Sequence, residues 1–279
     1  MARSPAPAPE VQTFLEEEVS GPPTWSLSIE GIRSRIDALF TDTWQPPVAS
    51  VMEVEIPGPG GPIPLRVYVP AGVGPFRVLL YCHGGGWIGG GLRTHDSLCR
   101  ALCRETDGIV VAIDYRLAPA HPFPAAINDV RAVLAWTEEV GPDLQFDPDR
   151  IAIGGDSAGG TIAAATAHWL AARGASPITH QLLMYPPLDC SVDTPSYSNY
   201  HDGYLLTRRA MVRYWDAYLE RPIDRWHPFA CPLKTHSVEG LPPTTMVTCG
   251  FDPLRSDGEA YVSTLTAAGV PTTHLELTI

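Results

Sequence analysis

No apolar run in this 279-residue chain is long enough to cross a bilayer, and the N-terminus lacks a hydrophobic signal core. The expected setting is therefore cytoplasmic, without a membrane partner. Basic residues are scarce: 19 Lys and Arg stand against 31 Asp and Glu, a net charge of −12, and no basic cluster occurs. That excludes the electrostatic footprint of nucleic-acid or anionic-membrane binding. The six cysteines, at 82, 99, 103, 190, 231 and 249, contain no C-x-x-C and no compact framework. Buried free thiols are the reading that fits. His95, Cys99 and Cys103 follow at i, i+4 and i+8 and could mimic a metal site. Zinc sites pair such ligands with a second cluster, so the inward face of an ordinary helix is preferred. No repeat period stands out, and the only biased segment is the Pro/Ala arm at 4–9, expected to fray.

Proline is abundant instead. Its 29 copies run at about twice the usual ~5% share and sit between periodic segments, which points to many ordered loops. Apolar content of 44% and this length suit one large α/β domain. Ser28 is a candidate N-cap for a helix with Ile29, Ile32, Ile36, Leu39 and Phe40 on one face. With a segment at 14–19 it forms a helical prelude. Residues 51–56 and 63–69 read as a hairpin around Gly58-Pro59-Gly60-Gly61. Strands are then expected at 76–82, 109–113, 151–154, 181–185, 244–249 and 272–278, alternating with helices at 94–105, 124–140, 161–172, 207–219 and 256–268. Such alternation implies a mostly parallel sheet covered on both faces, with an antiparallel hairpin at one edge. Ligands bind outside the carboxyl ends of the strands in sheets of this kind.

The chain is organised around Ile151-Ala152-Ile153-Gly154-Gly155-Asp156-Ser157-Ala158-Gly159-Gly160. Gly155-x-Ser157-x-Gly159 fits a nucleophile elbow, a strained strand-to-helix corner whose flanking residues must be small. The alternative is a glycine-rich turn whose serine caps the helix. Upstream, His83-Gly84-Gly85-Gly86-Trp87 follows an apolar strand and can aim backbone N–H groups at a developing oxyanion. A rival reading is a phosphate cradle, because Gly84-x-Gly86-x-x-Gly89 fits a dinucleotide fingerprint with Asp114 as the ribose acid. Acyl transfer needs both loops at once; the fingerprint leaves the elbow unexplained.

Together with Asp114-Tyr115-Arg116-Leu117-Ala118-Pro119, these two motifs make the chain resemble the hormone-sensitive-lipase-like α/β-hydrolases, bacterial esterases with an HGGG motif and a GDSAGG elbow. The resemblance implies Ser157 as nucleophile and the N–H groups of Gly85, Gly86 and Ala158 as oxyanion donors. Phe251-Asp252-Pro253-Leu254-Arg255 resembles the family's acid motif, which makes Asp252 the triad acid; a helix-start or turn acid is the alternative there. Ala120 departs from the family's glutamate, a change expected to alter a hydrogen bond beneath the site. The base comes last in this fold. His274, the one histidine after Asp252, lies inside the last strand, so the triad histidine is expected just beyond Ile279, with the end of the fold missing. His83, His168 and His201 are placed elsewhere and do not suit the role.

The resemblance further implies a small-molecule ester substrate of short to medium acyl chain, no metal and no organic cofactor. Residues 1–45 are expected to form cap helices on a hydrolase domain at 46–279, with a cap insertion near 188–225. Trp87 and Leu206 are candidate pocket walls. A second copy pairing through the last strand is the expected protein partner. A catalytically silent, ligand-binding member of the same fold is the alternative function.

Overall fold

A computed structural model describes residues 6–19, 21–41, 43–174 and 176–278. Ser4 and Pro5 of the expected arm lie outside these residues, and so does Ile279. The arm ends sooner than expected, because Pro9 opens helix α1 (Pro9–Val19), where its missing N–H costs nothing. Helix α2 (Ile29–Phe40) starts at Ser28, whose hydroxyl accepts the Gly31 amide at 3.0 Å. Ile32 and Ile36 turn inward from it.

Strands β1 (Ser50–Gly58) and β2 (Gly61–Val69) form the hairpin. The sheet continues with β3 (Phe76–Cys82), β4 (Ile109–Ile113), β5 (Phe146–Asp156), β6 (Ile178–Met184), β7 (Thr244–Cys249) and β8 (Thr272–Leu277). Helices α3 (Asp96–Thr106), α4 (Ala125–Val140), α5 (Ala158–Ala171) and α8 (Arg255–Ala267) cross between them. Strand order is β1-β2-β4-β3-β5-β6-β7-β8, with β2 antiparallel to both β1 and β4 and the rest parallel. The β4 strand is buried at all five positions, as a strand covered on both faces must be. Apolar side chains pack in two clusters. The smaller gathers Tyr68, Tyr81, Cys99 and Cys103, and the larger holds most of the remaining core.

Several elements start earlier than periodicity predicts, among them α1 at Pro9 and β6 at Ile178. β5 starts at Phe146 rather than 151, because it pairs with Phe76 across a register shift that no local pattern encodes. Helix α5 begins three residues early, directly after Ser157. Gly159 must lie there because any Cβ would collide with the Cys82 carbonyl oxygen. Helix α5 is buried on nearly every face, which accounts for its run of alanines: larger side chains would not fit the close approach to the sheet.

Between β6 and β7 the chain leaves the sheet through α6 (Pro195–Asn199) and α7 (Arg208–Tyr218), the latter capped by Thr207 on the Ala210 amide. Met211, Tyr214, Trp215 and Tyr218 form its buried face. Among the described residues no helix is long and apolar enough to cross a membrane.

Candidate active site

Ser157 stands between β5 and α5 at φ 49°, ψ −124°, a conformation that L-residues adopt only when their surroundings impose it. Its amide is tied to the Met184 carbonyl at 2.8 Å, and its side chain makes no capping hydrogen bond to α5. The helix-cap alternative is therefore excluded. The corner is strained in order to present a hydroxyl.

That hydroxyl lines a cavity of about 710 Å³ shared with Gly84, Gly85, Gly86 and Asp252. Gly86 sits at φ 61°, and a Cβ on it would come within 2.7 Å of the Tyr214 ring, so only glycine fits. The amides of Gly85, Gly86 and Ala158 have no partner among the described residues. Ala158 opens α5, where the first amides lack intrahelical acceptors and the helix dipole favours negative charge. The arrangement can hold an oxyanion beside the serine.

A buried network fixes the loop beneath. The Asp156 carboxylate accepts from the Gly84 amide at 2.9 Å and the Tyr81 hydroxyl at 2.7 Å. Thr94 Oγ1 lies 3.0 Å from the Gly91 carbonyl and is hydrogen-bonded with His95 Nδ1 at 2.8 Å, which orients the ring. That leaves Nε2 facing Asp156 at 3.2 Å. Burial opposes ionisation of Asp156, yet His95 beside it and the Tyr81 hydroxyl hold its carboxyl below the ordinary value. The Tyr115 hydroxyl closes the network on the His83 carbonyl at 2.6 Å. None of these residues was read from sequence as a support of the loop, although Asp156 lies within the elbow motif itself.

Asp252 follows β7. It accepts the Leu254 amide at 2.9 Å, and desolvation pushes its pKa up to about 7. Among the described residues it has no ion pair, so an adjacent imidazolium would find an acceptor ready to ionise. Asp257 beside it accepts the amides of Leu188 and Asp189 at 2.9 and 3.1 Å, which ties the start of the insertion between β6 and β7, the flap, to α8.

The profile of a family described by its alpha/beta hydrolase fold matches residues 79–278. The chain belongs to that family. A carboxylic ester hydrolase, LipN of Mycobacterium tuberculosis, is 43% identical over 227 residues, covering 78% of this chain and 60% of that protein. The esterase LipI of the same organism is 41% identical over 248 residues, covering 87% and 77%. This chain thus spans less than two thirds of the first relative's length. Among solved structures, a thermostable esterase from Pseudomonas putida ECU1011 superimposes with a TM-score of 0.93 at 35% identity, covering 99% of this chain and 88% of that one.

The hydrolase fold also relocates several candidates. Trp87 is not on the cavity wall: it is 1% exposed, stacked on Tyr218 with ring centroids 4.6 Å apart and packed against Trp215. Leu206 does line the cavity, joined by Val11 and Leu15 of α1, Phe40 of α2, and Tyr214 of α7. Ala120 is exposed on a turn. His274 lies on β8, and its Nε2 meets Thr248 Oγ1 at 2.9 Å, away from the cavity lining. His168 is buried in the last turn of the elbow helix, against the Tyr261 hydroxyl. The dinucleotide reading fails on geometry. The glycine loop folds back on itself, with the Ile88 and Gly89 amides both on the Gly85 carbonyl, and does not open a helix. Asp114 is not in the cavity lining. The helical metal triplet fails too: Cys99 and Cys103 pack into the smaller apolar cluster while His95 turns to Asp156.

Proposed function

We propose that this chain is a serine carboxylesterase acting on short- to medium-chain esters through an acyl-enzyme. One observation carries the reading: the uncapped Ser157 hydroxyl, on a strained elbow, shares a cavity with Gly85 and Gly86, whose amides lack partners among the described residues, and with a desolvated carboxylate. In the first step Ser157 Oγ attacks the ester carbonyl, and the amides of Gly85, Gly86 and Ala158 hold the negative oxygen. Collapse expels the alcohol, and water then repeats the attack on the acyl-serine. Apolar walls from α1, α2 and the flap support an acyl chain of modest length, and the two helical segments act as its cap.

The base is part of the proposal: a histidine later in the chain than β8, oriented by Asp252. Supporting this, the ring of His274 is engaged by Thr248 at the sheet edge. A second copy pairing along β8, which presents half-exposed Leu275 and Leu277, is the proposed partner; light scattering showing only monomer at micromolar protein would remove it. A cytoplasmic setting, supported by six unpaired cysteines, completes the reading.

Labelling by a fluorophosphonate, followed by peptide mass mapping, tests the nucleophile on the full-length protein. The expected result is one adduct on Ser157, with p-nitrophenyl butyrate turnover abolished in Ser157→Ala and folding retained. A protein that neither labels nor turns over ester would be the silent binder instead.

A further inference from the structure

The flap is closed at its stem by two thiols that the esterase reaction does not use. Cys190 follows β6 where the chain enters the flap. Cys231 stands where it returns, and the Leu233 amide meets the Leu188 carbonyl at 3.1 Å, which holds the two strands of the stem side by side. Both cysteines are buried, Cys190 at 8% exposed and Cys231 at 0%. Their sulfurs and an Asp189 carboxylate oxygen all lie within 4.8 Å of one another, a grouping seen nowhere else among the described residues. Lys234 Nζ is paired with Asp189 at 3.2 Å, and the Cys190 thiol reaches the Arg225 carbonyl at 3.6 Å.

We propose that Cys190 and Cys231 are an oxidative modification site: hydrogen peroxide converts the dithiol to a disulfide that locks the stem of the flap. Of the two, Cys190 is the attacking sulfur, because it alone retains exposure. The neighbouring Cys231 thiol, with Lys234 and Arg225 nearby, outweighs burial and the Asp189 charge to lower its pKa below the ordinary thiol value. Cys231 is pushed upward and keeps its proton. The Cys190 thiolate attacks one peroxide oxygen and the O–O bond breaks. Hydroxide leaves, takes up the proton that Cys190 had lost, and departs as water. The Cys231 sulfur then attacks the sulfenic sulfur, the S–O bond breaks, and a second water carries away the Cys231 proton. Two thiols lose two electrons in total and the peroxide gains them.

The same cluster offers three donors to a thiophilic cation. Lys234 argues against that occupant, since its ammonium already neutralises Asp189 and would repel a second cation.

Residues 191–230 lie inside the loop that the bond would close, and α7 with its cavity-lining Tyr214 is among them. Cross-linking such a loop restricts the unfolded chain and the opening of the flap alike. The remaining cysteines are poor competitors: Cys82, Cys99 and Cys103 are fully buried and Cys249 stands alone at the cavity.

The test treats the full-length reduced protein with hydrogen peroxide and reads intact mass, non-reducing peptide maps and the thermal midpoint. The expected result is a loss of two hydrogens, a linked peptide pair containing Cys190 and Cys231, and a midpoint several degrees higher that dithiothreitol returns to its starting value. Cys231→Ser should instead leave Cys190 as a sulfenic or sulfinic acid, gaining oxygen without a link. Two further results overturn the proposal. One is both thiols staying reactive toward a thiol reagent after peroxide. The other is zinc alone, added to the reduced protein, binding one to one and shielding both thiols from peroxide, which would make the cluster a metal site.

Discussion

Replacing His168 by glutamine should make the fold less sensitive to acid, by an amount that the burial of this imidazole sets. His168 lies buried in the last turn of α5, with Nε2 2.8 Å from the Tyr261 hydroxyl. Burial lowers its pKa from 6.5 to about 4. As pH falls, the unfolded chain therefore takes up this proton before the native state does. The stability that the neutral ring contributes is whole above pH 6.5 and drains away between 6.5 and 4. At 1.36 kcal/mol per pKa unit, full loss amounts to about 3 kcal/mol. His83, lowered likewise to about 4, behaves in the same way. Asp252 and Asp257 act in the opposite sense: desolvation raises both from 3.8 to about 7, so the native state holds their protons more tightly. Acid stabilises the fold through each of them by about 4 kcal/mol.

Opposing contributions of this size make the whole-protein pH curve uninformative. The difference between wild type and His168→Gln isolates one group. Measured by urea unfolding, wild-type stability minus variant stability should fall by about 2–3 kcal/mol between pH 7 and about pH 4.5. A difference that stays flat with pH would refute the reasoning, since it would mean that the ring is no harder to protonate in the folded state than in the unfolded chain.

Three further outcomes follow from the site. Gly86→Ala places a Cβ within 2.7 Å of the Tyr214 ring at a φ of 61°, so kcat for p-nitrophenyl butyrate should fall ~10²-fold, the effect of losing one oxyanion donor. Adding Tyr214→Ala should restore part of that loss, and an unimpaired Gly86→Ala enzyme would remove Gly86 from the oxyanion site. Asp156→Asn removes the charge that accepts from Tyr81 and Gly84, so the fold should lose roughly 2–3 kcal/mol in urea unfolding and kcat should fall with KM little changed; a rise in KM alone would count against a positioning role. Leu206→Trp fills the acyl side of the cavity, so laurate ester turnover should drop at least ~10-fold relative to butyrate, and an unchanged ratio would place Leu206 off the acyl path.

Much of the fold was legible from local pattern. β3, β4 and β7 fall on the residues where short strand-forming runs predict them, and Ser28 caps the helix that its position announces. These features depend on neighbours within a few residues: period, cap and turn are all short-range. The small residues flanking Ser157 carried the elbow for the same reason, since a tight corner has to be built from its own sequence.

What the tertiary structure alone decided are the meetings between distant segments. Trp87, placed beside three glycines, reads as a pocket wall, yet Trp215 and Tyr218 arrive from the flap and bury it. His95 falls on a helical stripe with two cysteines but turns to Asp156, which comes from a different strand. Cys190 and Cys231 carry no motif, and only the closing of the flap stem brings their sulfurs together. Periodicity says which side of an element faces inward. Which partner waits there depends on strand order and loop closure, which only the folded chain settles.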